Sequence, residues 1–324
     1  MQRVFDVLKA HNAKNVAIFS HIRGDGDCLG AQTGLAEILT SAGLSVVLYN
    51  QENLSDNFSF LPHFQEIKTC DAKSPKPDIC IAVDCATMER IGELPETFLT
   101  CPWINIDHHV SNDGFGILNI VEDTASSTCE MLSHMAFNAD ILLNAQAATS
   151  FYTGISTDTG SFLYSNATAQ SFYIAGKLLE NGANKNLVQT YIFENTSRKK
   201  VDILKHLYGH LHYLLDDAVA YCAFSQKDLA ALHASTLDLE GIVSLIKEIQ
   251  GVELAILFTE QDDARCKISL RSREWFDANR CCRVFGGGGH VRAAGATLTL
   301  PFAEAVETVL REVRQEWKEG EDVE

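Results

Sequence analysis

The sequence predicts an α/β protein, with a doubly wound, mostly parallel sheet followed by a second, smaller α/β domain. Three observations carry that prediction. Largely apolar runs at 16–20, 45–49, 79–83 and 103–106 have the length and hydrophobicity of strands buried on both faces. Helical patterns alternate with them, as parallel crossover connections require. The 324 residues, 46% of them hydrophobic, are enough for two cores of ordinary size.

Taken in order, the run 16–20 leads into a helical stretch at 26–42, and Gly43 precedes the next strand at 45–49. After the strands at 79–83 and 103–106, helical patterns occupy 125–138, 144–155 and 168–179. Asn181-Gly-Ala-Asn184 then breaks the run. We place a first domain at residues 1–186 and an amphipathic helical connector at 187–214, with a flexible point at 195–200. A second domain follows at 215–324. It opens with a strand at 218–224, continues through helical stretches near Ser225 and Gly241, and returns to strands at 253–258 and 267–273. The acidic end, 316–324, reads as solvated.

Composition narrows the function. Lys and Arg total 26 against 43 Asp and Glu, a formal charge of −17. Such a chain repels a long polyanion, so a nucleic-acid substrate should be short, and long duplexes are excluded. The first thirty residues lack a basic start followed by an apolar stretch, and no run approaches the roughly 18 apolar residues of a membrane span. The expectation is a soluble, cytoplasmic protein that does not engage a membrane. The ten cysteines include no Cys-x-x-Cys pair and read as reduced thiols.

Four stretches place acid or imidazole groups after, or close to, apolar runs: His21 with Asp25 and Asp27, then Asp84, then Asp107-His108-His109, then Thr157-Asp158-Thr159-Gly160. Ligands of open α/β sheets collect at the carboxyl ends of strands. Singly, each Asp reads equally well as a cap and each His as a core residue. Together they read as a two-metal hydrolytic site. Imidazole and carboxylate donors favour manganese, magnesium, iron or cobalt over a thiolate-rich zinc site, and two Mn²⁺ ions are the expected cofactors. Two ions about 3.5–4 Å apart suit in-line displacement at phosphorus by activated water.

In the second domain, Lys267, Ser269, Arg271 and Arg273 alternate onto one face of a strand. Gly286, Gly287, Gly288 and Gly289 precede His290, and such a run can aim backbone N–H groups at an anion. The competing reading is a tight turn with a core histidine. His206 and His210, at i, i+4 spacing, read as an exposed helical face rather than half of a metal site.

These motifs, with Phe285-Gly-Gly-Gly-Gly-His290 and Ala293-Ala-Gly295, resemble the ordered motifs of the DHH phosphoesterase superfamily and its associated C-terminal domain. Spacing and domain order are similar to the nanoRNase and pAp phosphatase branch. The resemblance implies that His21 and Asp25 hold one metal, that Asp27, His108 and Asp158 hold the other, and that Asp84 bridges them. It implies that His109 faces the substrate phosphate, that Asp107 orients a neighbouring histidine, and that Arg90 sits where a family arginine is expected. Arg271, Arg273, Gly287, Gly288, Gly289 and His290 would dock the substrate's far end, with closure around short substrates. Arg23-Gly24 and Cys28-Leu-Gly-Ala31 depart from the family pattern, which usually has Pro before Asp-Gly-Asp. Arg23 could contact phosphate. Cys28 and Cys85 are read as packing residues, although Cys28 could also make the site sensitive to oxidation. The implied activity is hydrolysis of very short RNA to mononucleotides, with pAp as a second substrate. A cyclic or linear dinucleotide phosphodiesterase is the alternative, ahead of a pyrophosphatase, an exopolyphosphatase or a non-catalytic nucleotide-binding regulator. Monomer and homodimer both stay open.

Overall fold

The computed structural model describes residues 1–261 and 265–321, and the side chains of 319–321 are left aside. The chain divides into two compact units, residues 1–195 and 196–324. The helical turns at Lys185–Val188 and Gln189–Phe193 lie in the first unit, and the helix Arg198–Gly209 lies in the second, with Ile203 and Leu207 in its core.

The first unit carries the expected parallel sheet. Strands β1 (Asn15–Phe19), β2 (Ser45–Tyr49), β3 (Ile79–Val83), β4 (Trp103–Asp107) and β5 (Leu118–Val121) pair in the order β2-β1-β3-β4-β5, all parallel. Every residue of β3 and β4 is buried, which is why β3 is apolar throughout, while the polar Asn105 and Asp107 of β4 are buried inside the sheet. β1 sits between β2 and β3, so the chain reverses direction across the sheet beside it. His21 and Asp84 follow β1 and β3 respectively at this point.

Two helices pack against each other to hold the site. The helix Gly26–Ser41 buries almost its whole length and lies against Ala145–Asp158. Glycines make this approach possible. A β-carbon on Gly30 would collide with the Ser150 carbonyl oxygen, one on Gly34 with the Phe151 ring, and one on Gly154 with the Cys129 sulfur and an Asp27 carboxylate oxygen. Thr33 Oγ1 donates to Ser150 Oγ at 3.0 Å across the same contact. Gln32, fully buried, donates to the carbonyls of Ile18 and Tyr49 at 2.8 and 2.9 Å, fastening the helix to β1 and β2. The helix Ala145–Asp158 runs three residues past its expected end, which puts Asp158 in its last turn.

The second unit is a mixed sheet of β6 (His212–Leu214), β7 (Val219–Phe224), β8 (Leu254–Glu260), β9 (Cys266–Ser272), β10 (Gly288–His290) and β11 (Ala293–Leu298), in the order β10-β11-β9-β8-β7-β6. Among the described residues only β7 and β8 pair in parallel in this sheet. The two faces of β7 and β8 feed separate cores, one shared with Ile203, Leu207, Ile242 and Ile246, the other with Val309, Val313 and Trp317. The acidic end departs from the solvated reading. The helix Phe302–Glu321 runs through it, Trp317 is buried against Trp275 and Phe276, and Glu316 pairs with Arg280. Residues 322–324 of that segment lie outside the described residues. Among the described residues no helix is long and apolar enough to cross a membrane.

Replacing Gly30 by Ala tests the helix contact. Helix propensity alone would stabilise by about 0.5–1 kcal/mol, but a methyl group forced against a backbone carbonyl costs about 1–3 kcal/mol. Urea unfolding should show net destabilisation, and a gain in stability would mean the helices have room to spare.

Candidate metal centre

Each expected donor sits at the end of a strand or the end of a helix. His21 follows β1, and its backbone is fixed by Asn50 Nδ2, which donates to the His21 carbonyl at 2.8 Å. Asp25 caps the helix Gly26–Ser41, its Oδ1 accepting from the Asp27 and Cys28 amides at 3.1 Å. Asp27, fully buried in the first turn of that helix, accepts from the amides of Thr128 at 2.7 Å and Cys129 at 2.9 Å. Those are the first amides of the helix Thr128–Asn138, where a carboxylate is favoured. Asp84 follows β3 in a left-handed conformation, φ +60°, costly for a residue with a side chain and typical of functional sites. His108 and His109 follow β4, and Asp158 ends its helix.

The side chains converge around Asp84. His21 Nε2 lies 3.3 Å from Asp84 Oδ2 and 3.5 Å from Asp25 Oδ2. His108 Nε2 lies 3.6 Å from Asp84 Oδ1, 3.5 Å from Asp158 Oδ2 and 4.0 Å from Asp27 Oδ2. One carboxylate therefore faces an imidazole with each of its oxygens. Both rings are oriented from behind. His21 Nδ1–H donates to the Ile22 carbonyl at 2.6 Å and His108 Nδ1–H to the Ala125 carbonyl at 3.2 Å. A neutral ring held this way carries its lone pair on Nε2, the atom aimed at the carboxylates.

Burial and mutual repulsion load this cluster. Burial, then the charge on Asp84, holds the Asp27 carboxyl well above the usual range. Burial, then Asp27, Asp25 and Asp84, pushes Asp158 up to about 10. Burial disfavours a charged His21, but hydrogen bonds to Asp25 and Asp84 outweigh it and raise the ring's pKa. Protons are thus drawn in where positive charge is missing. The donor set, carboxylate oxygens with two imidazole nitrogens, fits hard or borderline divalent cations.

His109 stands apart. Its Nδ1–H donates to Asp107 Oδ1 at 2.7 Å, and Asn112 Nδ2 donates to Asp107 Oδ2 at 2.6 Å. The Asp107 bond, against the opposing effect of burial, raises the pKa of His109. Asp107 is fully buried and makes the orienting contact expected of it. His109 also lies close enough to Asp84 and His108 to count as a third donor there. Arg90 is exposed in the turn Met88–Ile91, and its charge is felt at His109. Arg23 is exposed, its amide donating to Glu52.

Cys28 lies within donor range of His21 and Asp25. Its sulfur accepts from the Asp25 amide at 3.3 Å, and burial pushes the thiol up to about 12. A neutral, fully buried thiol serves as helix cap and filler. Cys85 is likewise fully buried. Asn50, Asn112 and Thr128 were missed in the sequence. Thr128 Oγ1 donates to Asp84 Oδ1 at 3.0 Å. Ser127 accepting from the Glu130 amide marks that helix start, and the Ser-x-x-Glu pattern was its available signal.

In the second unit, Arg271 and His290 flank Ala293 in one register row. Residues two strands apart sit about 10 Å from each other, and Ala293, Gly288 and Gly295 leave the floor between them low. Gly287 and Gly289 owe their identity to close packing, because a β-carbon on either would collide with β11. His290 is exposed, not a core residue. Arg273 departs from expectation. It lies past the end of β9, and its guanidinium donates to the carbonyls of Val252, Lys247 and Ile249 at 3.1, 2.6 and 3.2 Å, capping the helix Ile242–Lys247. His206 and His210 stack at 4.1 Å on the Arg198–Gly209 helix end.

Because burial and the neighbouring carboxylates push Asp158 up to about 10, cation binding should release its proton, and affinity should rise with pH through the neutral range. Titration calorimetry with Mn²⁺ should show about tenfold tighter binding per pH unit between pH 6 and 8 for each proton displaced. Affinity independent of pH would contradict this electrostatic picture.

The family model described as "DHH family, N-terminal domain" matches residues 15–155, and that of the "DHHA1 domain" matches residues 218–319. A Thermus thermophilus protein named bifunctional oligoribonuclease and PAP phosphatase NrnA is 32% identical over 321 residues, covering 98% of this chain and 94% of that protein. Its namesake from Mycoplasma genitalium is 31% identical over 287 residues, 88% of each chain. The crystal structure of an exopolyphosphatase-related protein from Bacteroides fragilis matches with a TM-score of 0.83 at 24% identity, covering 97% of this chain and 96% of that one, a likeness of fold. With both domain matches in order and that identity across almost its entire length, the chain belongs to the DHH family, its DHH domain followed by a DHHA1 domain.

Proposed function

We propose that this protein is a divalent-metal-dependent phosphoesterase that hydrolyses very short RNA to mononucleotides and removes the 3′ phosphate of 3′-phosphoadenosine 5′-phosphate to give AMP. Manganese is the metal we assign. The observation that carries the reading is Asp84, whose two oxygens each face a different ring-oriented imidazole. The substrate class rests on relatives named for both activities over nearly the full chain.

The proposed ligand sets are His21, Asp25 and Asp84 for one cation and Asp27, His108, Asp158 and Asp84 for the other. Two cations held there would supply Lewis acidity for activating water and for neutralising the phosphate. The remaining work falls to side chains. Asp107, itself held by Asn112, holds His109 by Nδ1, which leaves Nε2–H as a donor for a phosphate oxygen. Arg90 adds positive charge on the same side. In the DHHA1 domain, Arg271 and His290 border a shallow floor suited to a terminal phosphate or a base. A net charge of −17 disfavours long RNA, whose binding depends on neutralising many phosphates.

Turnover with Mn²⁺ should favour a 5′-phosphorylated RNA dinucleotide and pAp over a 24-mer, cyclic di-AMP and pyrophosphate. Fastest cleavage of cyclic di-AMP or pyrophosphate would contradict the assignment. On the dinucleotide, His290→Ala should raise KM about tenfold with both metals retained, and an unchanged KM would remove His290 from the docking surface.

A further inference from the structure

Directly after Asp158 the chain makes a strained turn. Gly160, Ser161 and Phe162 are three consecutive left-handed residues, with φ of +55°, +57° and +66°, and the last two carry side chains that disfavour this conformation. Such strain persists where surrounding contacts over-determine it, and it clusters at functional sites. Here the Ser161 amide donates to the Ser156 carbonyl at 2.7 Å, Phe162 to Thr159 Oγ1 at 3.1 Å, and Leu163 and Tyr164 to the Thr159 carbonyl at 2.9 and 3.0 Å. Asn166 Nδ2 donates to the Asp158 carbonyl at 3.0 Å, tying the far end of the turn to the residue that begins it.

The turn sorts its side chains. Phe162 turns inward against Tyr152 and Phe172, whereas Leu163 and Tyr164 are left 85% and 62% exposed. The Tyr164 ring lies so close over Gly160 that any β-carbon there would collide with it. A flat ring is therefore seated on bare backbone two residues from Asp158, with much of its surface open to solvent. Two large side chains held out by a strained, heavily hydrogen-bonded backbone, on the turn that leaves Asp158, offer apolar surface for something to pack on.

We propose that Leu163 and Tyr164 form a stacking platform for the nucleobase next to the phosphate hydrolysed at the Asp84 centre. The platform rests on the phosphoesterase reading and gives it a base subsite within the DHH domain. Neither side chain is charged, and both offer an apolar face with no hydrogen-bond pattern aimed at base edges. The ligand class is thus any of the four bases, read by its π face rather than by sequence.

The test uses full-length wild-type protein, Tyr164→Phe and Tyr164→Ala with Mn²⁺. Substrates are a 5′-phosphorylated RNA dinucleotide, its two singly abasic analogues, and the same dinucleotide carrying 2-aminopurine. Tyr164→Ala should raise KM for the complete dinucleotide about tenfold, within the range for losing one base–aromatic stack. It should shift KM by less than twofold for the analogue lacking the stacked base, and Tyr164→Phe should behave as wild type. Bound 2-aminopurine fluorescence should be quenched by wild type and Tyr164→Phe and recover in Tyr164→Ala. Leu163→Ser, at a nearly fully exposed position, is an independent probe expected to raise KM about threefold on the complete dinucleotide. Wild-type KM and quenching in Tyr164→Ala, or an equal KM rise on all substrates, would overturn the platform while leaving the phosphoesterase intact. A wild-type protein that turns over no dinucleotide would overturn the phosphoesterase reading and the platform with it.

Discussion

Four carboxylates gathered around two imidazoles cannot all carry charge unless positive charge is placed among them, and much of the first domain is arranged around that constraint. Two like charges 4 Å apart repel by about 4 kcal/mol at an effective dielectric constant of 20. A charged hydrogen bond returns about 1.5–3 kcal/mol. Amides of the Thr128–Asn138 helix steady Asp27 and a hydroxyl steadies Asp84, but these contacts only soften the repulsion. Without a cation, burial and mutual repulsion raise the Asp27 and Asp158 carboxyls above their usual range. With Nδ1 of His21 and His108 tied to backbone carbonyls, their Nε2 atoms are already aimed at the same space.

Packing and chemistry meet in the same residues. Gly154 must be glycine both for the helix contact and to leave room for the Asp27 carboxylate. Gln32 fixes the helix Gly26–Ser41 to the ends of β1 and β2, next to the His21 backbone that Asn50 holds. A misplacement of that helix would move Asp25 and Asp27 together, so the site inherits its precision from a close-packed core.

The fold class was legible because β1 to β4 are each dominated by apolar residues and separated by helical periods. β5 was missed, being four residues long with a polar Asn119 at its centre. β10 was read as an anion-facing glycine run or a tight turn because its pairing depends on close backbone approach rather than on side chains. The donors were legible because they are chemically distinctive and sit at strand or helix ends. Their supporting groups were not, since Thr128, Asn112 and Asn50 look like ordinary polar residues until the fold brings them to the site. Arg273 shows the limit of strand alternation. The pattern gave it a face, but the strand ends one residue earlier and three carbonyls claim its guanidinium.

The central claim is that Asp84 joins two cations in one centre. Metal analysis with electron paramagnetic resonance of the Mn²⁺-loaded protein tests it most directly. The account predicts two equivalents of manganese giving an exchange-coupled spectrum, and in Asp84→Ala loss of that coupling together with weakened retention of both ions. A single tightly held ion in the wild type, or two uncoupled ions unaffected by Asp84→Ala, would contradict it.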